Sequence, residues 1–118
     1  MTTIKNFEEL EIWQLARELV NLIYCDFRQC RDYGFKDQIY RAGISIMNNI
    51  SEGFCRGGNP EFKQFLKISK GSAGEVKNMY YISEDQGYIT KDQVIARRCK
   101  AQNLINGIAG LIKYLKST

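Results

Sequence analysis

The sequence predicts an all-α protein, an antiparallel up-down-up-down four-helix bundle. Three observations carry that prediction. Apolar residues return at helical spacing in four successive stretches. The single proline, Pro60, stands where a segment begins. No stretch reads convincingly as a strand.

The first helix is expected near residues 8–31, where Ile12, Ala16, Leu19, Val20, Ile23, Phe27 and Cys30 share one face. Glu11, Gln14, Glu18 and Asn21 lie toward the opposite side, and Cys30-Arg31-Asp32-Tyr33-Gly34 breaks the pattern as a turn. The second helix, near 35–56, sets Ile39, Ala42, Ile46 and Ile50 on its core face, with Gly43 and Gly53 beside them. After Arg56-Gly57-Gly58, Asn59 is expected as N-cap and Pro60 as first residue of the third helix, near 60–86. Its stripe is Phe62, Phe65, Leu66, Ser69, Ala73, Val76 and Tyr80, and Gln86-Gly87 ends it. Thr90-Lys91-Asp92-Gln93 matches a capping box opening the fourth helix, near 91–116. Val94, Ala101, Leu104, Ile105, Ile108, Leu111, Ile112 and Leu115 give that helix its apolar side. Helices of these lengths, about 30–40 Å each, pack side by side when short turns join them. One domain is expected over residues 1–118, with no linker inside it.

Composition narrows the function classes. Apolar residues at 44% and charged residues at 25% suit a packed domain. No apolar run approaches the roughly 20 residues of a membrane span. Met1-Thr2-Thr3-Ile4-Lys5-Asn6 lacks a signal-peptide layout, so a cytoplasmic location is expected. Cys25, Cys30, Cys55 and Cys99 show no CxxC spacing and read as reduced thiols. Histidine is absent, which removes the commonest general base and transition-metal ligand. Neither a metal, a cofactor nor a catalytic site is expected.

Two polar faces draw attention. On the second helix Gln38, Arg41, Ser45, Asn49, Glu52 and Arg56 project within roughly 80° of one another. Arg41 is expected to fork onto Glu75 of the third helix; otherwise the stripe is a solvated face. Arg41 and Glu52 stand about 16 Å apart along the axis, too far to act on one bond. On the third helix Lys63, Lys67, Lys70 and Lys77 share a face about 21 Å long with Gly74 and Tyr81. Such a row suits a phosphate backbone, with Tyr81 as a stacking surface, or else simply solubilises the helix. Residues 1–89 carry a net −1 and residues 90–118 a net +5. Within the latter, Lys91, Arg98, Lys113 and Lys116 gather on one flank, while Arg97 falls among apolar positions and is expected to pair at an interface.

The third helix has further features. Ile68, Ser72, Glu75, Met79 and Ile82 form a second, partly apolar face. Gly71-Ser72-Ala73-Gly74 is glycine-rich for a helix, since each glycine costs roughly 0.5–1 kcal/mol relative to alanine. The phosphate-loop pattern GxxxxGK[ST] is missing, so close approach by another helix, of this or another subunit, is the expected reason.

Several of these stretches resemble a known family. Phe7-Glu8-Glu9-Leu10-Glu11-Ile12-Trp13, Tyr33-Gly34, Gln38-Ile39-Tyr40-Arg41-Ala42, Ser45-Ile46 and Asn49-Ile50-Ser51-Glu52-Gly53 are similar to the bacterial four-helix-bundle, or 23S rRNA-intervening sequence, proteins. Glu61-Phe62, Phe65-Leu66, Ile68, Gly71-Ser72 and Glu75 continue the likeness in order along nearly the whole chain. The RAxxSIxxNIxEG stretch beginning at Arg41 is its most specific part. Arg28 and Arg31 stand where the pattern usually has proline and glutamate, Phe35 replaces a leucine and Ser69 an alanine.

The resemblance implies a small antiparallel bundle that assembles into a ring, typically a homopentamer, with no established activity. Family members are encoded within intervening sequences of ribosomal RNA genes. A related branch serves diversity-generating retroelements as accessory factors, binding nucleic acid and a reverse transcriptase. By association, the expected partners are further copies of the chain, RNA or DNA, and a nucleic-acid-processing protein. Arg41, Ser45, Asn49, Glu52 and Glu75 match the family's characteristic positions and read as a structural seam. Two function classes follow: a sequence-tolerant nucleic-acid binder using the lysine faces, or a protein-interaction scaffold without a nucleic-acid role.

Overall fold

A computed structural model describes residues 3–116; the outermost two residues at either end of the expected domain lie outside it. A 3-10 turn, Phe7–Glu9, precedes α1 (Glu11–Phe27), α2 (Tyr33–Cys55), α3 (Asn59–Gln86) and α4 (Lys91–Lys116). Among the described residues there is no strand. Each helix packs on the next, and α4 closes back on α1. The bundle measures 46 × 22 × 19 Å, its long axis set by α3 at 1.5 Å per residue.

The apolar stripes meet as the periodicity requires. Ile23, Ile39, Ile46, Ile50, Leu66, Val76, Tyr80 and Ile108 are completely buried. Val20, Phe65, Ile105 and Leu111, expected in the core, sit half-buried at its margin. The helices come closest at Gly53, where an added Cβ would lie 2.6 Å from Phe65 Cβ, and at Gly43, 2.9 Å from Ile23 Cδ1. By contrast, nothing lies within 4 Å of a Cβ built at Gly71 or Gly74. No helix of this chain presses on those two glycines, contrary to one form of the expectation.

Helix ends depart from the sequence reading in two places, the turn between α1 and α2 and the start of α3; in the first, α2 already begins at Tyr33, so Tyr33 and Gly34, expected in the turn, are helical. The first helix is not continuous over 8–31: Leu10 is extended (φ −71, ψ 127) and α1 stops at Phe27. Cys30 therefore lies in the turn, its N–H donating to Phe27 O at 3.0 Å. Asp32 leaves helical geometry to cap α2 and accepts the Phe35 N–H at 3.2 Å. Its other oxygen accepts the Tyr88 hydroxyl at 2.5 Å, tying this turn to the α3–α4 connection. Those two bonds, Tyr88's foremost, hold the Asp32 carboxyl below its usual range, and the carboxylate in turn pushes Tyr88 up to about 12.

The second departure is at α3, where Gly58, not Asn59, is the N-cap and Pro60 is the second helical residue. Any first-turn position admits proline, because the N–H it lacks has no intrahelical acceptor there. The capping box of α4 forms as expected: Gln93 N–H donates to Thr90 Oγ1 at 3.2 Å and Thr90 N–H to Gln93 Oε1 at 3.0 Å.

Candidate nucleic-acid interface

The polar stripe of α2 turns toward α3 and becomes a seam between them. Ser45 and Ser72 hydroxyls meet at 2.8 Å, and Asn49 Nδ2 donates to Ser45 O at 2.8 Å and to Ser45 Oγ at 3.0 Å. The expected Arg41–Glu75 pair does not form. Arg41 Nε donates instead to Asp37, one turn earlier on its own helix, at 2.8 Å, and Gln38 donates to Glu75. Asp37 offers Arg41 an acceptor without either side chain leaving solvent: the pair is 74% and 64% exposed. Glu52 likewise pairs one turn along its own segment, with Arg56 at the α2 C-cap, at 2.8 Å. The seam is thus Ser45, Asn49 and Ser72, extended by Gln38 and Glu75, while Arg41 and Glu52 lie outside it.

Arg97 pairs at an interface between helices of this chain. Its Nε and Nη2 fork onto the two oxygens of Asp26 on α1 at 2.8 and 2.9 Å, and Tyr80 Oη of α3 donates to the same carboxylate at 2.8 Å. Asp26 is 1% exposed and Arg97 16%. Burial first, then the Asp26 charge, drives the Tyr80 phenol far above its ordinary value, so it stays a donor. This junction of three helices was not foreseen. Its signal was present: an acid between Ile23 and Phe27 and an arginine among apolar positions are each costly unless they meet.

The cations of the α3–α4 flank divide into held and free. Lys77 Nζ donates to Gln102 Oε1 of α4 at 2.7 Å, half-buried. Arg98 pairs with Glu84 at 2.5 Å and lies over the Tyr81 ring, 4.1 Å from its centroid. Lys77 and Arg98 therefore clasp α3 to α4, and Tyr81 has one face covered by a guanidinium. Lys63, Lys67, Lys70, Lys113 and Lys116 have no hydrogen-bond or ion-pair partner among the described residues. Because α3 and α4 are antiparallel, these five fall at one end of the flank. Lys91 is exposed at the other end of α4, about 38 Å away along the helix, and does not join them.

Between the two helices at the lysine-rich end runs a groove of about 520 Å³. Lys67 and Lys70 stand on one side and Lys116 on the other, over a floor of Ile105, Ile112 and the backbone at Gly71 and Gly74. A second cleft of about 580 Å³, around Phe54, Phe62 and Leu111, is lined by no charged side chain. Among the described residues no cluster of Cys, Asp or Glu could hold a metal ion. No helix of the structure is long and apolar enough to cross a membrane.

Fold and flank together define a four-helix-bundle protein with a one-sided cluster of lysines that have no partner among the described residues. Residues 8–110 match the family model for the 23S rRNA-intervening sequence protein, and the chain belongs to that family. Among solved structures it is similar to a protein with unknown function from the S23 ribosomal protein family of Bacteroides thetaiotaomicron VPI-5482. That likeness has a TM-score of 0.75 at 24% identity, over 86% of this chain and 91% of the other, and it supports the bundle fold. No curated protein matches the chain.

Proposed function

We propose that this protein is a non-enzymatic, cytoplasmic nucleic-acid-binding factor that contacts phosphates without reading base sequence. The observation that carries the reading is the gathering of Lys63, Lys67, Lys70, Lys113 and Lys116, without a partner among the described residues, at one end of the α3–α4 flank. Unpaired lysines arranged in two rows bind a polyanion by releasing its counterions, a term indifferent to base identity. Lys77, Tyr81, Arg98 and Lys91 leave the interface: the first three serve the α3–α4 clasp, and Lys91 is remote.

The reading includes self-assembly. Ile44, Ile68 and Ile82 are 39%, 53% and 40% exposed on the outer sides of α2 and α3, which suits burial against another copy. A ring would repeat the lysine cluster around its axis, so that contacts weak in one subunit add through avidity. Light scattering at micromolar concentration should report a multiple of the 13.6 kDa chain mass, and a monomer would remove this part of the proposal.

Binding is tested by fluorescence anisotropy with labelled RNA and DNA oligonucleotides of several sequences. For three to five phosphates neutralised on a single strand, affinity should fall about 20- to 100-fold between 50 and 200 mM salt. Reversing Lys63, Lys67, Lys70, Lys113 and Lys116 to Glu should abolish binding and leave helicity intact. If the unmodified protein binds neither RNA nor DNA at low salt, the reading gives way to a protein-interaction scaffold.

A further inference from the structure

The α3–α4 seam changes character along its length. Arg98, Glu84, Lys77 and Gln102 close one half with side-chain contacts. In the other half the side chains withdraw, and the groove opens where α3 carries Gly71 and Gly74. Both glycines are helical, and neither serves a tight turn or a contact within the chain. Each weakens the helix relative to alanine. What they leave is space above the helix backbone, flanked by the lysines.

We propose that this groove receives one strand of nucleic acid, with phosphates against Lys67, Lys70 and Lys116 and bases or sugars against the floor of Ile105, Ile112 and glycine backbone. The inference rests on the nucleic-acid reading above and narrows it to single strands. Neighbouring helix axes lie only about 8–10 Å apart, so the groove is narrow. A duplex keeps its bases stacked inside and presents phosphates on a rigid outer surface, so it can touch only the lysine rim. An unpaired strand can set its sugars and base faces down into the groove. The floor asks for no hydrogen bonds, which fits recognition indifferent to sequence. Charge complementarity favours the strand too: among the described residues no acidic side chain lines the groove, and the charged groups there are Lys67, Lys70 and Lys116.

The glycines make the test clean. Leucine at both positions fills the groove without changing charge, meets open space and favours the helix. Full-length Gly71→Leu/Gly74→Leu and unmodified protein are compared by anisotropy with a single-stranded oligonucleotide, with the same strand annealed to its complement, and with an acidic helical peptide. Circular dichroism confirms equal helicity. The expected result is that unmodified protein prefers the single strand and that the filled groove weakens single-strand binding about tenfold or more, a loss of about 1.4 kcal/mol, while duplex binding is unchanged. Unaltered single-strand binding by the filled variant overturns the groove, while the phosphate-binding reading survives if lysine reversal still abolishes binding. Peptide binding that the leucines remove, with no nucleic acid bound by either protein, overturns both and assigns the groove to a protein helix.

Discussion

Replacing Asp26 with alanine should be among the most damaging single changes to this bundle, although Asp26 lies in none of the apolar stripes. The substitution strips Arg97 of both forked hydrogen bonds and leaves Tyr80 Oη without its acceptor. Removing one member of a buried ion pair typically costs about 3–5 kcal/mol, because the remaining charge stays desolvated. Arg97 is 16% exposed, and its stem lets the guanidinium shift toward water, which favours the lower end, about 3 kcal/mol. With an unfolding entropy of about 2.1 cal/mol/K per residue over 118 residues, that loss lowers Tm by roughly 12 °C. Urea unfolding followed by circular dichroism, at one protein concentration to hold any assembly constant, measures it. The double change Asp26→Leu/Arg97→Met should recover most of the loss, since well-packed apolar groups replace a buried pair with little penalty. A cost below about 1 kcal/mol for Asp26→Ala would refute the reasoning, since that is what an exposed pair is worth.

Other outcomes follow from the same packing and titration. Gly53→Ala should destabilise by about 1–3 kcal/mol, because its Cβ would meet Phe65 Cβ at 2.6 Å, whereas Gly74→Ala, with open space, should raise Tm. Tyr80 titrates above its ordinary value of 10.0 in the folded protein; its stabilising share is complete below that pH and is lost as pH rises through the folded value. Unfolding midpoints should therefore fall above about pH 10, and Tyr80→Phe should flatten that decline. Asp32, held below its usual value of 3.8, gives the opposite sign: its contribution is present above that pH and is lost as acid protonates the carboxyl, a loss that Asp32→Asn would remove from the pH profile.

The helices were legible because each stripe of apolar residues must be buried by something, and four of them bury one another. The start of α4 was legible for a local reason: Thr90 and Gln93 satisfy each other's backbone within one turn. The start of α3 was misplaced by one residue because proline suits any of the first positions. Partners of charged residues were the hard part. For Arg41 a carboxylate one turn away on the same helix outcompeted Glu75 across the seam, and nothing in the pattern ranks those two acids. Periodicity puts Lys63, Lys67, Lys70 and Lys77 on one face of α3. That Lys77 is spoken for depends on Gln102, 25 residues on, and so on the register between α3 and α4, which composition does not encode.

That register also explains why the lysine cluster stands apart from the rest of the surface charge. Toward the α3 C-terminus the clasp of Lys77, Arg98, Glu84 and Gln102 offers each cation an acceptor. About one to three turns further along the seam the facing residues become Ile105 and Ile112, which accept nothing, and Lys67, Lys70 and Lys116 are left around a common opening. Like charges across a groove repel, and two glycines beneath them weaken α3 further, so this half of the seam is less stable than the clasped half. An anion lying between the lysines lowers both penalties: it screens the repulsion and supplies the contacts that the glycines omit. A ligand that binds only the folded chain must then stabilise it by mass action. A single-stranded oligonucleotide should accordingly raise Tm in the unmodified protein and do so far less in Gly71→Leu/Gly74→Leu, a thermal readout independent of any label on the nucleic acid.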